Sequence, residues 1–141
     1  MRDSSTQERV GAPSLAAVNV VGLGIDIAEV SRVRHLINRY GDGFRRRCFT
    51  DHEWSYAHRY ADPSERLAAR FAGKEAVMKS LGTGWRRVHW RDVEITGGGA
   101  PRVNLTGTAL ARAEAIGVTR VLVTITHTGD QAMVFAMSMA D

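Results

Sequence analysis

The chain has 141 residues, 44% hydrophobic and 24% charged, which fits one domain and excludes a second full one. Cys48 stands alone and a chain of this length folds without crosslinks, so a disulfide scaffold is excluded; with no apolar run near the ~20 residues of a membrane span and no signal-peptide core in MRDSSTQERVG, the expected protein is cytoplasmic, neither secreted nor membrane-bound. Of 19 Lys and Arg against 15 Asp and Glu, 17 are Arg, and Arg32, Arg34, Arg39, Arg45, Arg46 and Arg47 crowd residues 32–47 against Asp42 alone, a cluster that attracts an anionic partner or forms a solvated helix face.

Residues 1–18 are polar, then rich in Ala, Gly and Pro, and read as a flexible leader before a domain at 19–141. VNVVGLGIDIAEV predicts a buried strand whose glycines let another backbone approach. Val30, Val33, Leu36, Ile37 and Tyr40 recur at helical spacing, and Gly41 and Gly43 stop that helix. TDHE has the form of a capping box with Thr50 as N-cap. Asp62-Pro63 breaks the chain, and Ser64 is the expected cap of a long helix that closes at Gly82.

A strand is expected over VHWRDVEI (88–95), followed by a GGGA-Pro101 turn and a short strand, RVNL. Thr106 is the expected cap of a helix ending at Gly117. Two strands joined through Thr128, Gly129 and Asp130 complete the chain. The order β-α-α-α-β-β-α-β-β, ending in a hairpin, predicts an α+β fold with an antiparallel sheet packed on helices.

Asp26 lies inside an apolar strand, where a carboxylate must be paired, bound to a cation, or used to cap the next helix. GLG lacks the third glycine of a dinucleotide fingerprint, so that reading is rejected. In ARFAGKEAVMKS, Glu75 and Lys79 share a helix face and Arg70 and Lys74 an adjoining one. Two readings stand for the first pair: an ordinary i, i+4 salt bridge, or a half-buried carboxylate holding a hard cation with the lysine on a phosphate oxygen. His127 ends a strand, and no paired-His or second-Cys spacing marks a zinc site. LGTG is too short for a Walker A loop, although its backbone N–H groups can serve a phosphate. No interleaved aromatic pattern accompanies the arginines, so a nucleic-acid partner is not expected.

Taken together and in order, GLGIDIAEVSRV, FTDHE, RFAGKEAVMKSLGTG and TITHT resemble the holo-(acyl-carrier-protein) synthase family, the small 4′-phosphopantetheinyl transferases, from about residue 19 onward. The resemblance implies the single-domain 4′-phosphopantetheinyl transferase fold. It implies transfer of the 4′-phosphopantetheine arm of coenzyme A to a serine of an apo carrier protein, releasing 3′,5′-ADP with Mg²⁺. Asp26 and Glu75 are then the metal ligands, and Lys79 completes the catalytic set. Arg70, Lys74, Lys79, Gly82, Thr83, Gly84 and His127 are implied at coenzyme A, and Arg32 and Arg39 at an acidic acyl carrier protein. A homotrimer with active sites shared between subunits is also implied. Fatty-acid, polyketide and peptide synthesis each supply such carriers. A non-catalytic or redirected family member that binds coenzyme A or carrier protein is the alternative.

Three departures stand out. The leader is long for the family. Gly73 replaces a common alanine, which predicts a looser turn of the long helix at up to ~1 kcal/mol of propensity. WRRVHW replaces a more usual glycine-serine-phenylalanine segment, which bears on nucleotide or carrier recognition.

Overall fold

The computed structural model describes residues 19–141, so the predicted leader at 1–18 lies outside the described residues. The first strand, β1 (Asn19–Glu29), alternates small or polar residues on one side with Val21, Leu23, Ile25 and Ile27 on the other. It pairs antiparallel with β5 (Gln131–Ala140), which pairs antiparallel with β4 (Arg120–Thr128), giving the order β1-β5-β4. A separate antiparallel ribbon joins β2 (Val93–Thr96) to β3 (Arg102–Leu105). The helices are α1 (Val30–Tyr40), α2 (Asp42–Cys48), α3 (Asp51–Ala57), α4 (Ser64–Ser80) and α5 (Gly107–Ala115). The α+β expectation holds.

Helix α4 lies against the small side of the three-stranded sheet and is enclosed on most of its circumference, from Leu67 to Ser80. Small side chains make this possible. A Cβ on Gly24 would lie 1.9 Å from the Ala76 carbonyl oxygen, and one on Gly22 would lie 2.0 Å from that of Ser80. Ala132, Val134, Ala136 and Ser138 of β5 extend the same floor, and the Ser138 and Ser80 hydroxyls meet at 2.6 Å. The two glycines are thus places of close backbone approach, as the sequence predicts.

The large apolar side chains of β1 point the other way. Leu23, Ile25 and Ile27 are about half exposed, and with Leu122 of β4 they form an open apolar face. The sequence reading of a buried strand is corrected for the single chain: the backbone and small residues are buried, the branched ones are not.

Local expectations hold or fail for identifiable reasons. The capping box is complete: Glu53 N donates to Thr50 Oγ1 at 3.2 Å and Thr50 N to Glu53 Oε1 at 2.9 Å. Gly41, with φ of 49°, ends α1, but α2 begins at once and runs through Gly43, because Phe44 and Cys48 bury on one side. Ser64 does not cap α4; Asp62 Oδ1 accepts the Ser64 N–H at 3.0 Å instead. Nor does Thr106 cap α5, where Asp92 Oδ2 takes the Thr108 N–H at 2.8 Å. Residues 88–92 are not strand. The chain turns through a 3₁₀ segment, Trp90–Asp92, before β2 begins. Asp26 does not cap α1. That end is held by Asp130 of the β4–β5 turn, whose Oδ1 accepts the Ser31 N–H at 3.0 Å.

Gly73 is not a loose point in α4. A Cβ there would come within 2.3 Å of Ile95 Cδ1, so the glycine makes room for a fully buried side chain of β2. Burial of Ile95 offsets the lost helix propensity.

Candidate active site

Asp26 reaches the sheet's inner side because it shares the alternation of Gly22, Gly24 and Ala28. The glycines bring α4 close enough for Glu75 and Lys79 to meet it. Lys79 Nζ donates to Asp26 Oδ1 at 3.2 Å and to the Ile25 carbonyl at 3.0 Å, across 53 sequence positions from Asp26. Burial, then the adjacent Asp26 carboxyl, pushes the Glu75 carboxyl up to about 7, while the charges of Lys79 and Arg32 pull it down. Two carboxylates forced together beside two cations form an acidic pair held under tension. Arg32, in the first turn of α1, is near enough for its charge to act on Glu75. Arg39, two turns on, is exposed with its guanidinium 5.5 Å from the Tyr40 ring.

Other predicted residues lie elsewhere. Arg70 is buried, its Nη2 donates to the Gly97 carbonyl at 3.3 Å, and its guanidinium lies 4.7 Å from the Tyr56 ring. His127 joins it on the wall of a cavity of about 410 Å³, with Tyr56, Tyr60, Arg66 and Gly98. His127 Nδ1 is 3.8 Å from Glu65 Oε1. Arg70 and Lys79 are nine residues apart on α4, about 14 Å along its axis. A single chain thus splits the predicted set into a carboxylate end and a cavity end.

Lys74 belongs to neither. Its side chain has no exposed surface, and its ammonium is 2.7 Å from Glu53 Oε1 and 3.0 Å from the Trp90 carbonyl, with the Val93 carbonyl as third partner. All three of its N–H donors are spent. The expectation that Lys74 reaches coenzyme A phosphates is corrected: it is a buried tie between α3, α4 and β2. Burial lowers its pKa and Glu53 opposes that shift.

The Gly82-Thr83-Gly84 loop is also committed in part. Gly82 N donates to the Lys79 carbonyl at 2.9 Å and Thr83 N to that of Met78 at 3.0 Å, closing α4. Those two N–H groups are not free to cradle a phosphate.

Arg66 and the two tyrosines were missed from the sequence. Arg66 and Arg70 stand at i, i+4 and Tyr56 and Tyr60 likewise, so each pair shares a helix-type spacing. Nothing local says that the two pairs face each other. In the structure the Arg66 guanidinium lies 3.3 Å from the Tyr60 ring centroid. Among the described residues no group of three or more His, Cys, Asp and Glu is placed to hold a metal, and no helix is long and apolar enough to cross a membrane.

Comparison with known proteins places the chain in a family. The profile of the 4′-phosphopantetheinyl transferase superfamily matches residues 22–134. A holo-[acyl-carrier-protein] synthase of Solibacter usitatus is 47% identical over 117 residues, covering 81% of this chain and 94% of that one. The crystal structure of the Neisseria meningitidis holo-[acyl-carrier-protein] synthase superposes with a TM-score of 0.75 at 31% identity, covering 85% of this chain and 98% of that chain. A Bacillus anthracis holo-(acyl-carrier-protein) synthase in complex with CoA (3′,5′-ADP) superposes with a TM-score of 0.69 at 27% identity, covering 86% and 98%. With most of its length matched and these relatives spanned almost end to end, the chain belongs to the 4′-phosphopantetheinyl transferase superfamily and is an enzyme of its holo-[acyl-carrier-protein] synthase family.

Proposed function

We propose that residues 19–141 form a transferase domain that moves the 4′-phosphopantetheine arm of coenzyme A onto a serine hydroxyl of an acidic apo acyl carrier protein, in the cytoplasm. The serine oxygen bonds to the pantetheine-side phosphorus as its hydroxyl proton passes to water, the bond from that phosphorus to the bridging oxygen breaks, and 3′,5′-ADP leaves with that oxygen. The observation that carries this reading is the Asp26–Glu75–Lys79 cluster with Arg32 beside it. The complex of the Bacillus anthracis relative with CoA (3′,5′-ADP) supports the choice of donor.

The donor set fits Mg²⁺. Asp26 and Glu75 offer only oxygen, and a Glu75 carboxyl raised by burial and then by the adjacent Asp26 carboxyl is relieved by a hard cation. When bound, the ion would supply charge neutralisation at the pyrophosphate. Lys79, half exposed and already at the Asp26 carboxylate, has a third N–H to turn toward a phosphate oxygen. Its positive charge would offset what develops on the bridging oxygen as it becomes part of the 5′-phosphate of the leaving 3′,5′-ADP. Arg66, Arg70 and His127, with Tyr56 and Tyr60, would supply cationic and aromatic walls for the nucleotide end in the cavity they line.

The split of these groups within one chain supports a site completed by a neighbouring copy. So does the open apolar face of Leu23, Ile25, Ile27 and Leu122, which a homotrimer would cover. Arg32 and Arg39, both on α1, are the residues that this reading assigns to the acidic carrier.

Intact-mass measurement of an apo carrier protein incubated with this protein, coenzyme A and Mg²⁺ tests the reading. One added phosphopantetheinyl arm is expected, absent with EDTA and with an Asp26→Ala, Glu75→Ala variant. No addition to carriers of fatty-acid, polyketide or peptide synthesis would overturn it.

A further inference from the structure

A cavity of about 680 Å³ lies apart from both ends of the site described above. Arg46 and Arg47 wall it from the end of α2, and Trp85, His89, Trp90 and Arg91 wall it from the connection between α4 and β2. This is the segment WRRVHW and its flank, to which the proposed reaction assigns no role.

The cavity is cationic and its own acid is engaged. Asp92, on its wall, accepts the Thr108 N–H at 2.8 Å and the Thr108 hydroxyl at 2.5 Å. Asp51 holds Arg91 at 3.6 Å and Arg45 at 3.4 Å. Arg46 and Arg47 have no carboxylate partner among the described residues. The Trp85 indole is 46% exposed, with the guanidinium of Arg47 at 5.8 Å and that of Arg86 at 5.4 Å from its ring. An exposed tryptophan between two cations, in an open cleft, is a surface for a partner that brings acidic and apolar groups together.

The cleft is also continuous with the α1 face. A neighbouring apolar hollow of about 410 Å³ shares Arg47, Trp85 and Trp90 with it and is closed on the far side by Leu36 and Tyr40 of α1. Arg32 and Arg39 stand on that same helix. Several exposed guanidinium groups spread over an open wall suit a polyvalent acidic surface better than one small anion, which needs converging, enclosed donors.

We propose that the Arg46–Arg47–Trp85–Arg91 cleft is a second contact for the acidic carrier protein, taking an acidic segment beyond the modified serine and setting which carriers this enzyme prefers. The proposal rests on the carrier-modifying function given above, and its test separates the two.

Binding of a fluorescently labelled apo carrier to the full chain is measured by anisotropy for the wild type, Arg46→Glu/Arg91→Glu, Trp85→Ala and Arg32→Glu. Coenzyme A affinity and circular dichroism are followed in parallel. Reversal of the two cleft charges is expected to weaken carrier binding about tenfold or more, with native dichroism and unaltered coenzyme A affinity. Trp85→Ala, a change at an exposed position, should weaken it in the same direction. Carrier affinity within about twofold of wild type in both cleft variants overturns the proposal, and if Arg32→Glu still loses binding the transferase reading stands without it. Cleft-dependent carrier binding without arm transfer keeps the cleft and removes the transferase reading. A wild type that binds no carrier removes both. A single-stranded oligonucleotide bound as tightly as the carrier, and lost equally in the cleft variants, makes the cleft a general polyanion trap and overturns the proposal.

Discussion

The Lys74 ammonium lies 2.7 Å from the Glu53 carboxylate, and neither side chain has exposed surface. Glu53 also accepts the N–H groups of Thr50 at 2.9 Å and Ile95 at 3.0 Å, so one carboxylate joins the start of α3, the middle of α4 and β2. Removing one partner strands the other charge in the interior. Lys74→Met or Glu53→Gln should each cost about 3–5 kcal/mol in urea unfolding. The double variant should lose less than the sum of the two, and strict additivity would deny the coupling.

The approach of α4 to β1 sets a second expectation. Gly24→Ala puts a methyl group 1.9 Å from a backbone oxygen, where no side-chain rotation relieves it. The melting temperature should fall by an amount equivalent to at least 1–3 kcal/mol, roughly the cost of overpacking. Gly43 sits in α2 with nothing within 4 Å of a new Cβ, so Gly43→Ala should instead stabilise by about 0.4–1 kcal/mol. Equal effects at the two positions would refute the packing argument.

Asp62 ties α1 to the start of α4. The hydrogen bond from Arg34, at 2.7 Å, and then the Ser64 N–H hold its carboxyl at about 2, below its ordinary 3.8. A depressed acid contributes stability above its unfolded value, and that contribution is lost as pH falls from 3.8 through 2. Urea midpoints measured down to pH 2 should show a shallower acid limb for Asp62→Asn than for wild type. Parallel limbs would contradict the assignment. The group is largely exposed, so the effect is modest.

Cys48 is buried, and burial pushes its thiol up to about 11 despite the charges of Lys74 and Arg47. The thiolate, which is the reactive form, is scarce at pH 8. Reaction with a disulfide reagent should be slow on the folded protein and rapid in denaturant. Fast labelling of the native chain would mean that α2 opens locally.

Lys79→Ala tests the division of labour between the two lysines of α4. Loss of a charge that acts on the leaving group should lower kcat for arm transfer about 10²–10³-fold with little loss of stability. A variant that instead unfolds like Lys74→Met would place Lys79 in the framework.

Much of this was readable residue by residue. The Thr50–Glu53 capping box depends on atoms three positions apart, and Asp26 between apolar neighbours already demanded a partner. The placing of Glu75 and Lys79 on one helix face follows from a spacing of four, although the lysine's ion pair is with Asp26 and not with Glu75. The helix start at Ser64 is readable too, but Asp62, two residues earlier, and not Ser64 supplies the side-chain acceptor there, because its carboxylate is the better placed. Residues 88–92 carry strand-like residues, yet the burial of Trp90 and the engagement of Asp92 with Thr108 turn them into a 3₁₀ segment.

Sequence alone determined the chemistry available: two carboxylates and a lysine in motifs with fixed local geometry, glycines where a helix must pass, and an excess of arginine. Tertiary structure decided which of those groups is free to act. Lys74 and Glu75 are neighbours in sequence but point about 100° apart around α4, so packing against α3 and β2 buries the lysine while the glutamate opens toward Asp26. Packing likewise gathered Arg66, Arg70, Tyr56, Tyr60 and His127 around one cavity and the WRRVHW segment against Arg46 and Arg47 at another. Helical and strand periods specify faces within an element, whereas the neighbour that each face meets is set by long-range contacts that no local spacing records.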